Sequence, residues 1–252
     1  MAVKMVALTQ KGKYHDFSGL PCQDVAYITS KDNIHVAVLC DGAGSVPHSE
    51  IASLALSNAL GEYLCNVFAD VYASSEVQIK ENILSFSKLV LSNLSIPYEE
   101  ASCTLQFLAF DSSAKEFIYG HIGDGGTFIG SNDESINVLS YPENGDMPNI
   151  TFFTNNSDVA DHIFIQKSAF SSNQTSILMT TDGCWYMFYD AITKKPAPAV
   201  TKLMSWLQED SEEQFKQDLK KAMELTFSKH SEDDLGVIAI CAESDCMQSK
   251  TV

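Results

Sequence analysis

Residues 35–44 read HVAVLCDGAG, an apolar run that ends in an acidic turn. A nearly continuous apolar run of this length predicts a strand buried on both faces, and the Asp-Gly pair after it predicts a turn. The same order recurs where the apolar residues 176–180 precede Thr181-Asp182-Gly183. Asp41 and Asp182 therefore stand where a carboxylate can leave the protein core.

Two more aspartates have comparable positions. Asp233 precedes the apolar run of residues 235–241, and Asp124 lies in the turn Gly123-Asp124-Gly125-Gly126 between two apolar runs. If these strands are neighbours, their ends gather carboxylates that repel one another unless a divalent cation neutralises them. Oxygen ligands of this kind suit Mg²⁺ or Mn²⁺ better than Zn²⁺. Each segment alone has a plainer interpretation: an ordinary turn, a hairpin, or a solvated strand entry at Asp233-Asp234.

The wider pattern predicts several strands and an irregular insert. Strands are predicted at residues 3–8, 25–29, 35–40, 103–110, 116–122, 127–130, 136–140, 176–180 and 235–241. The four strands between residues 103 and 140 are expected to form one antiparallel meander. Residues 141–175 are weakly patterned, and an insert of this length is often functional.

Helices are predicted in two pairs. One helix follows Ser45, and another runs from residues 74–76 to Pro97. The first of these places apolar side chains at helical spacing on one face: Ile51, Ala55, Ala59, Tyr63 and Val67. Two more helices are expected after Asp182, the second starting with a capping box at Ser211. Strand runs separated by helix pairs favour antiparallel sheets covered by helices over a parallel sheet.

Composition limits the function classes. The chain has 252 residues, no internal repeat and no linker-like segment, so we expect one domain over residues 1–252. Its 33 acidic residues outnumber 16 basic ones, and the net charge of −17 disfavours binding to nucleic acid or to an anionic membrane. All the basic residues are lysines, so any phosphate recognition does without a bidentate guanidinium group.

Cysteine usage predicts a cytoplasmic location. The seven cysteines are scattered along the chain with no C-x-x-C pair, which is typical of a reduced protein. No window is long and apolar enough to predict a secretion signal or a membrane span.

The acidic motifs, taken in order, resemble one known family. They are Pro21-Cys22-Gln23-Asp24, Asp41-Gly42-Ala43-Gly44-Ser45, Gly123-Asp124-Gly125-Gly126, Thr181-Asp182-Gly183 and Asp233-Asp234. This set resembles the PP2C-like (PPM) family of metal-dependent serine/threonine protein phosphatases, and in particular its compact bacterial branch. The resemblance extends from about Ala7 to Ile240, and the segments 142–145 and 149–153 resemble the flap of that branch.

The resemblance implies an α+β fold, an αββα sandwich of two packed antiparallel sheets flanked by helices on both sides. It also implies a site for two ions, Mg²⁺ or Mn²⁺, that activate a water to attack the phosphoryl group. Asp41 would bridge both ions and Gly42 would bind through its carbonyl. Asp182 and Asp233 would complete the shell of one ion, and Asp24 would serve the other directly or through water. Asp124 corresponds to a ligand for a weaker third ion.

Two departures from the family pattern concern the substrate phosphate. The arginine that family members place before the Gln-Asp motif is missing, and Lys13 or His15 are the candidates to replace it. The histidine that follows the Asp-Gly pair in many relatives is Ala43 here, so His48 and His15 become the candidate general acids. Without either, the leaving oxygen would take its proton from water.

The leading functional hypothesis is a phosphatase that acts on phosphoserine and phosphothreonine in protein substrates. The resemblance implies a partner serine/threonine kinase, and we expect a monomer. One alternative is a pseudophosphatase, the same fold used as a binding or regulatory module. Another is a hydrolase of small phosphomonoesters, which the same site could accommodate.

Overall fold

The computed structural model describes residues 1–131, 134–144 and 151–244. It contains two five-stranded antiparallel sheets. The strands of sheet A are β1 (Ala2–Gln10), β6 (Gly126–Ser131), β7 (Glu134–Ser140), β9 (Gln174–Thr180) and β12 (Leu235–Glu243), in the order β1-β12-β9-β6-β7. The strands of sheet B are β2 (Val25–Lys31), β3 (Ile34–Cys40), β4 (Leu105–Asp111), β5 (Glu116–Ile122) and β8 (Phe164–Ala169), in the order β2-β3-β4-β5-β8. A short hairpin is formed by β10 (Tyr189–Asp190) and β11 (Lys195–Pro196).

Helices cover the outer face of each sheet. Two long helices, α2 (Ser49–Ala73) and α3 (Glu76–Ser92), pack on sheet B. Three helices, α4 (Asp182–Phe188), α5 (Pro198–Glu209) and α6 (Glu212–Leu225), pack on sheet A. A short helix, α1 (Lys13–Ser18), follows β1. This is the predicted αββα sandwich, which is confirmed.

Strand β3 shows why the apolar pattern predicted this arrangement. Side chains alternate between the two faces of a strand. Val36, Val38 and Cys40 face the helices on sheet B, whereas Ala37 and Leu39 lie between the two sheets. All five are at most 1% exposed, so a strand buried on both faces needs a continuous apolar sequence. Each buried Val or Leu contributes roughly 1.5–3 kcal/mol.

The expected four-strand meander is wrong. Strands β4 and β5 belong to sheet B, but β6 and β7 belong to sheet A. The segment from Gly123 to Gly125 is therefore not a hairpin turn but the crossing between the sheets. Gly123 has a φ of +112°, a conformation that side chains other than glycine rarely adopt. The sequence pattern could not show this, because a glycine-rich hairpin and a glycine-rich crossing use the same residues.

The expectation of an irregular insert at residues 141–175 is also partly wrong, because it contains strand β8. This strand lies at the edge of sheet B, and among the described strands it pairs with β5 alone. None of its side chains is fully buried, so it has no continuous apolar run. The segment 145–150, part of the flap-like tract, lies outside the described residues.

Two helix predictions need correction. The buried face of α2 contains Ala52, Leu56, Leu60 and Leu64, so the predicted stripe beginning at Ile51 is displaced by one residue. Both stripes have helical spacing, and only packing against sheet B distinguishes them. Between Asp182 and Ser244, the described part of the C-terminal region, the chain forms three α-helices instead of two. Ser211 does cap α6 by accepting from the Gln214 amide, as predicted, although the Gln214 side chain bonds to Asp218 instead of completing the box.

Within the described part of the chain, no helix has both the length and the apolar character needed to cross a membrane.

Candidate active site

Three of the predicted carboxylates meet at one edge of the sandwich. Asp41 directly follows β3 of sheet B, Asp124 lies in the crossing between the sheets, and Asp182 begins α4 after β9 of sheet A. One carboxylate oxygen from each of these residues lies within 4.8 Å of the other two. Residues separated by as many as 141 positions are thus gathered into one group, because both sheets end at this edge.

Asp41 lies at the centre of the acidic group. After burial, the neighbouring charges of Asp24, Asp182, Asp124 and Asp233 all raise the pKa of its carboxyl. Asp24 is itself buried, and its Oδ2 accepts a hydrogen bond of 2.8 Å from the Thr181 hydroxyl. The amide of Gly236 donates in turn to Thr181 Oγ1 at 2.8 Å. Two neighbouring strands of sheet A thereby fix the position of Asp24, which directly precedes β2 of sheet B.

The backbone around Asp41 is held by neighbouring segments. The Asp41 amide donates to Thr104 Oγ1 at 3.0 Å, and the Thr104 amide donates to the Asp41 carbonyl at 2.8 Å. The Gly42 amide donates to the Gln23 carbonyl at 3.1 Å. These bonds hold Gly42, which directly follows Asp41, against the segment that carries Asp24.

Asp233 and Asp234 have opposite environments. Asp233 is exposed and lines a cleft together with Asp182. Asp234 is 2% exposed and accepts hydrogen bonds from the amides of Gly12 and Gln23, each at 2.6 Å. The interpretation of this pair as a solvated strand entry is therefore wrong for Asp234, which ties the N-terminal segment to the start of β12.

Burial and mutual repulsion perturb the acidic group. Burial is the largest cause that raises the pKa of Asp24, Asp41, Asp124 and Asp182, and neighbouring carboxylates add to it. The pKa of Asp182 rises to about 7. A buried carboxylate resists ionisation unless a positive charge compensates it. The group therefore favours protons or cations close to its oxygen atoms.

Close packing fixes the turn after β9. A Cβ atom on Gly183 would come within 2.0 Å of the Asp234 carbonyl oxygen, so only glycine fits between α4 and the start of β12. Asp182 directly precedes Gly183 and Asp233 directly precedes Asp234, so this contact brings both carboxylates to the same edge.

Asp124 is held by the segment that resembles the flap. The Thr151 hydroxyl donates to Asp124 Oδ2. The Glu143 amide donates to the Gly123 carbonyl at 2.8 Å, and Thr151 forms an isolated bridge with Asn144. The described part of this segment thus packs directly against the crossing that carries Asp124.

The three residues predicted to bind phosphate or to donate a proton lie in different settings. His15 is 3% exposed and its Nδ1 lies 2.9 Å from Asp234 Oδ2, so its ring is held by Asp234 in the protein interior. The two roles predicted for it stay predictions. Lys13 is exposed at the start of α1. The side chain of His48 is 56% exposed just before α2, with Nδ1 4.0 Å from a Glu50 oxygen.

Sequence reasoning missed two side chains at the site. Tyr186 on α4 and His230 both line the cleft that contains Asp182 and Asp233. His230 lies three residues before Asp233, which is the one signal that could have pointed to it. Tyr186 gave no signal, because an aromatic residue in a short helix is more often part of the core.

Comparison with known proteins identifies the class. Residues 11–224, most of the chain, match the family model of protein phosphatase 2C. Members of that class are protein serine/threonine phosphatases, and this chain belongs to the protein phosphatase 2C family. A comparison of the sequence with curated proteins found no significant match.

Solved structures share the fold. RsbX in complex with magnesium is 17% identical, with a TM-score of 0.57, and the match covers 95% of this chain and 94% of that one. The catalytic domain of the serine/threonine phosphatase PstP in complex with two manganese ions is 14% identical, with a TM-score of 0.66 and coverages of 96% and 99%. Stp1 from Staphylococcus aureus is 16% identical, with a TM-score of 0.62 and coverages of 97% and 96%.

Proposed function

We propose that this chain removes phosphate from phosphoserine and phosphothreonine in protein substrates, using two Mg²⁺ or Mn²⁺ ions held by its acidic edge. The observation that carries the proposal is the convergence of Asp41, Asp124 and Asp182 in a member of the protein phosphatase 2C family. Two similar structures were obtained with magnesium and with two manganese ions.

The residues of the acidic edge fit divalent cations. Every donor is an oxygen, and the raised pKa values of Asp41 and Asp182 support the proposal, because a bound cation would compensate the carboxylate charge there. In addition, Gln23 Oε1 is buried beside Asp24 and has no hydrogen-bond partner among the described residues. An ion or its water would satisfy this oxygen.

In the proposed ligand set, Asp41 would serve both ions, since the carboxylates of Asp24 and Asp182 are both its neighbours. The Gly42 carbonyl, Asp182 and Asp233 would hold one ion, and Asp24 would hold the other. Asp124 serves a weaker third ion, in keeping with its place beside Asp41 and Asp182. When bound, such ions activate water as a nucleophile and screen the phosphate charge.

The cleft containing Asp182 and Asp233 would receive the phosphorylated residue. Tyr14 lines this cleft and the exposed Lys13 precedes it on α1, so Lys13 is the candidate cation for the phosphate. His230 lines the same cleft and can donate a proton to the leaving serine or threonine oxygen. It takes this role instead of His15.

The proposed setting is a cytoplasmic monomer that opposes a partner serine/threonine kinase. The presence of Asp24, Asp41, Asp124, Asp182 and Asp233 in one chain favours catalysis over use of the fold as a binding module.

The test is phosphate release from a phosphothreonine peptide by purified protein, with millimolar Mn²⁺ or Mg²⁺ and again with excess chelator. We expect release with metal and none with chelator. Absence of release in both conditions, in a protein whose thermal midpoint does not respond to Mn²⁺, would favour the binding module.

A further inference from the structure

Tyr186 separates two clefts that share Asp182. The first, of about 460 Å³, is lined by Tyr14, His230 and Asp233 among others. The second, of about 290 Å³, is lined by Asp124, Tyr141 and further aromatic residues. The acidic edge is therefore open on two sides, and a chain bound across Tyr186 would occupy both clefts at once.

A third cleft lies beside the second. Tyr141 lines both of them, and the third, of about 670 Å³, lies between β7, α5 and the hairpin β10–β11. Lys194 and Lys195 lie at its wall. The three neighbouring clefts, called the path below, thus extend side by side from the acidic edge to this lysine pair.

The walls of the path are aromatic and ordered. The ring of Trp185 stacks on that of Tyr189 with centroids 4.9 Å apart, and Tyr141 makes edge contacts with both rings at 6.3 and 5.6 Å. Tyr186, by contrast, is 81% exposed. Exposed aromatic side chains beside a fixed aromatic wall are typical of surfaces that bind polypeptides.

The far end of the path carries an exposed lysine pair. In a chain of net charge −17, Lys194 and Lys195 are both exposed, and the described residues lining the third cleft include no Asp or Glu. The nearest partner across the hairpin, Asp190, accepts from the amides of Ile192 and Thr193 instead. Lys194 also has a φ of +56°, where glycine or asparagine is more common. The fold thus presents one of the two cations, Lys194, where turn geometry does not favour it.

We propose that this path binds the substrate as an extended polypeptide and selects acidic residues on one side of the phosphorylated residue. The inference rests on the proposed function. The phosphorylated residue lies at Asp182 and Asp233, the flanking chain crosses Tyr186 and Tyr141, and its acidic side chains reach Lys194 and Lys195. At low salt, the two exposed lysines should make kcat/KM about tenfold higher for a peptide with acidic flanking residues than for the neutral peptide.

The test uses phosphothreonine peptides that differ only in having Asp or Asn on the N-terminal or the C-terminal side. We expect the wild-type protein to prefer Asp on one side only. The double variant Lys194→Glu and Lys195→Glu should lose that preference. The matched control is Lys220→Glu with Lys221→Glu, an equal charge change on exposed positions of α6, and it should keep the preference.

A second variant, Tyr186→Ala, tests the aromatic part of the path. It should raise KM for the peptides more than for p-nitrophenyl phosphate, which is too small to span the clefts. If the wild-type protein hydrolyses p-nitrophenyl phosphate but has equal kcat/KM for all the peptides, the proposed selection of acidic residues is wrong. The proposed phosphatase activity is then unaffected. Loss of the preference in the control double variant would also overturn the selection. If the protein hydrolyses none of these substrates in the presence of metal, the proposed function itself is overturned, and the selection with it.

Discussion

Asp233 and Asp234 are adjacent in sequence, but only Asp233 faces the cleft. The side chain of Asp234 points into the protein, where it accepts from Gly12 and Gln23 and lies 2.9 Å from His15 Nδ1. The sequence predicted an acidic pair at the start of a strand but could not assign different roles to its members. Those roles depend on α1 and the segment before β2, which lie more than 200 positions earlier in the chain.

Asp234→Asn should destabilise the protein by about 3 kcal/mol, because an amide cannot accept all the bonds that the buried carboxylate accepts. Chemical denaturation of the metal-free protein measures this. Asp233→Asn, an exposed neighbour, is the matched control and should change the free energy of unfolding by less than about 1 kcal/mol. Equal effects of the two substitutions would contradict the division of roles.

His121 gives the protein a predicted sensitivity to acid. It is buried, its Nε2 lacks a partner among the described residues, and burial lowers its pKa to about 4. The unfolded chain, with a histidine pKa near 6.5, binds a proton that the folded chain does not bind between pH 6.5 and 4. Stability from this residue is therefore present above pH 6.5 and is lost as the pH falls toward 4.

Between pH 7 and pH 4.5 this loss should amount to about 2 kcal/mol. His121→Leu removes the titrating group, so the variant should lose less stability than the wild-type protein over that range, whatever its absolute stability. Denaturation midpoints at both pH values give the comparison. Parallel pH profiles for the two proteins would show that His121 is not the cause.

Strands were easier to predict than the connections between them. Strands β3 and β12 have side chains buried on both faces, so their apolar sequences were unambiguous. Strand β8 was missed because it is a half-exposed edge strand, and the crossing at Gly123 was interpreted as a hairpin because both need glycine. The carboxylates of Asp41 and Asp182 were found because they end predicted strands, whereas Tyr186 and His230 depend on packing that local pattern does not encode.

The crossing at Gly123 should tolerate no side chain. Gly123→Ala would force a Cβ atom to 2.6 Å from Thr104 Cγ2 at a φ of +112°, so we expect a loss of about 2 kcal/mol or more. Gly44→Ala is the control, because its nearest contact would be 3.7 Å away at Gln23 Oε1. Chemical denaturation should show a loss below about 1 kcal/mol for the control. A free energy of unfolding for Gly123→Ala equal to that of the wild-type protein would contradict the requirement for glycine at the crossing.

Over the whole molecule, the acidic edge adds local repulsion to a net charge of −17. The sandwich brings both sheets to this edge, and family membership explains why it retains carboxylates that burial and repulsion destabilise. The organisation of residues 1–252 as one domain remains a prediction, and a single cooperative unfolding transition is what it requires.

Removal of one central charge should therefore stabilise the metal-free protein. Asp41→Asn is expected to raise the thermal midpoint at pH 8 without metal, because fewer like charges remain in the half-buried group. With millimolar Mn²⁺ the order should reverse, since cation binding stabilises only the protein that retains its ligands. Thermal melts of both proteins with and without Mn²⁺ test this. A variant less stable than wild type in metal-free buffer would contradict the repulsion.

The most direct measurement is the rate of phosphate release from one phosphothreonine peptide by the wild-type protein, Asp41→Asn and Asp70→Asn, all at saturating Mn²⁺. Asp70 is exposed on α2, so its variant controls for the loss of one negative charge. Activity in the wild-type protein and in Asp70→Asn, with a loss of at least about a hundredfold in Asp41→Asn, is the predicted result. Equal activity in all three proteins would show that the acidic edge does not hold the catalytic metals.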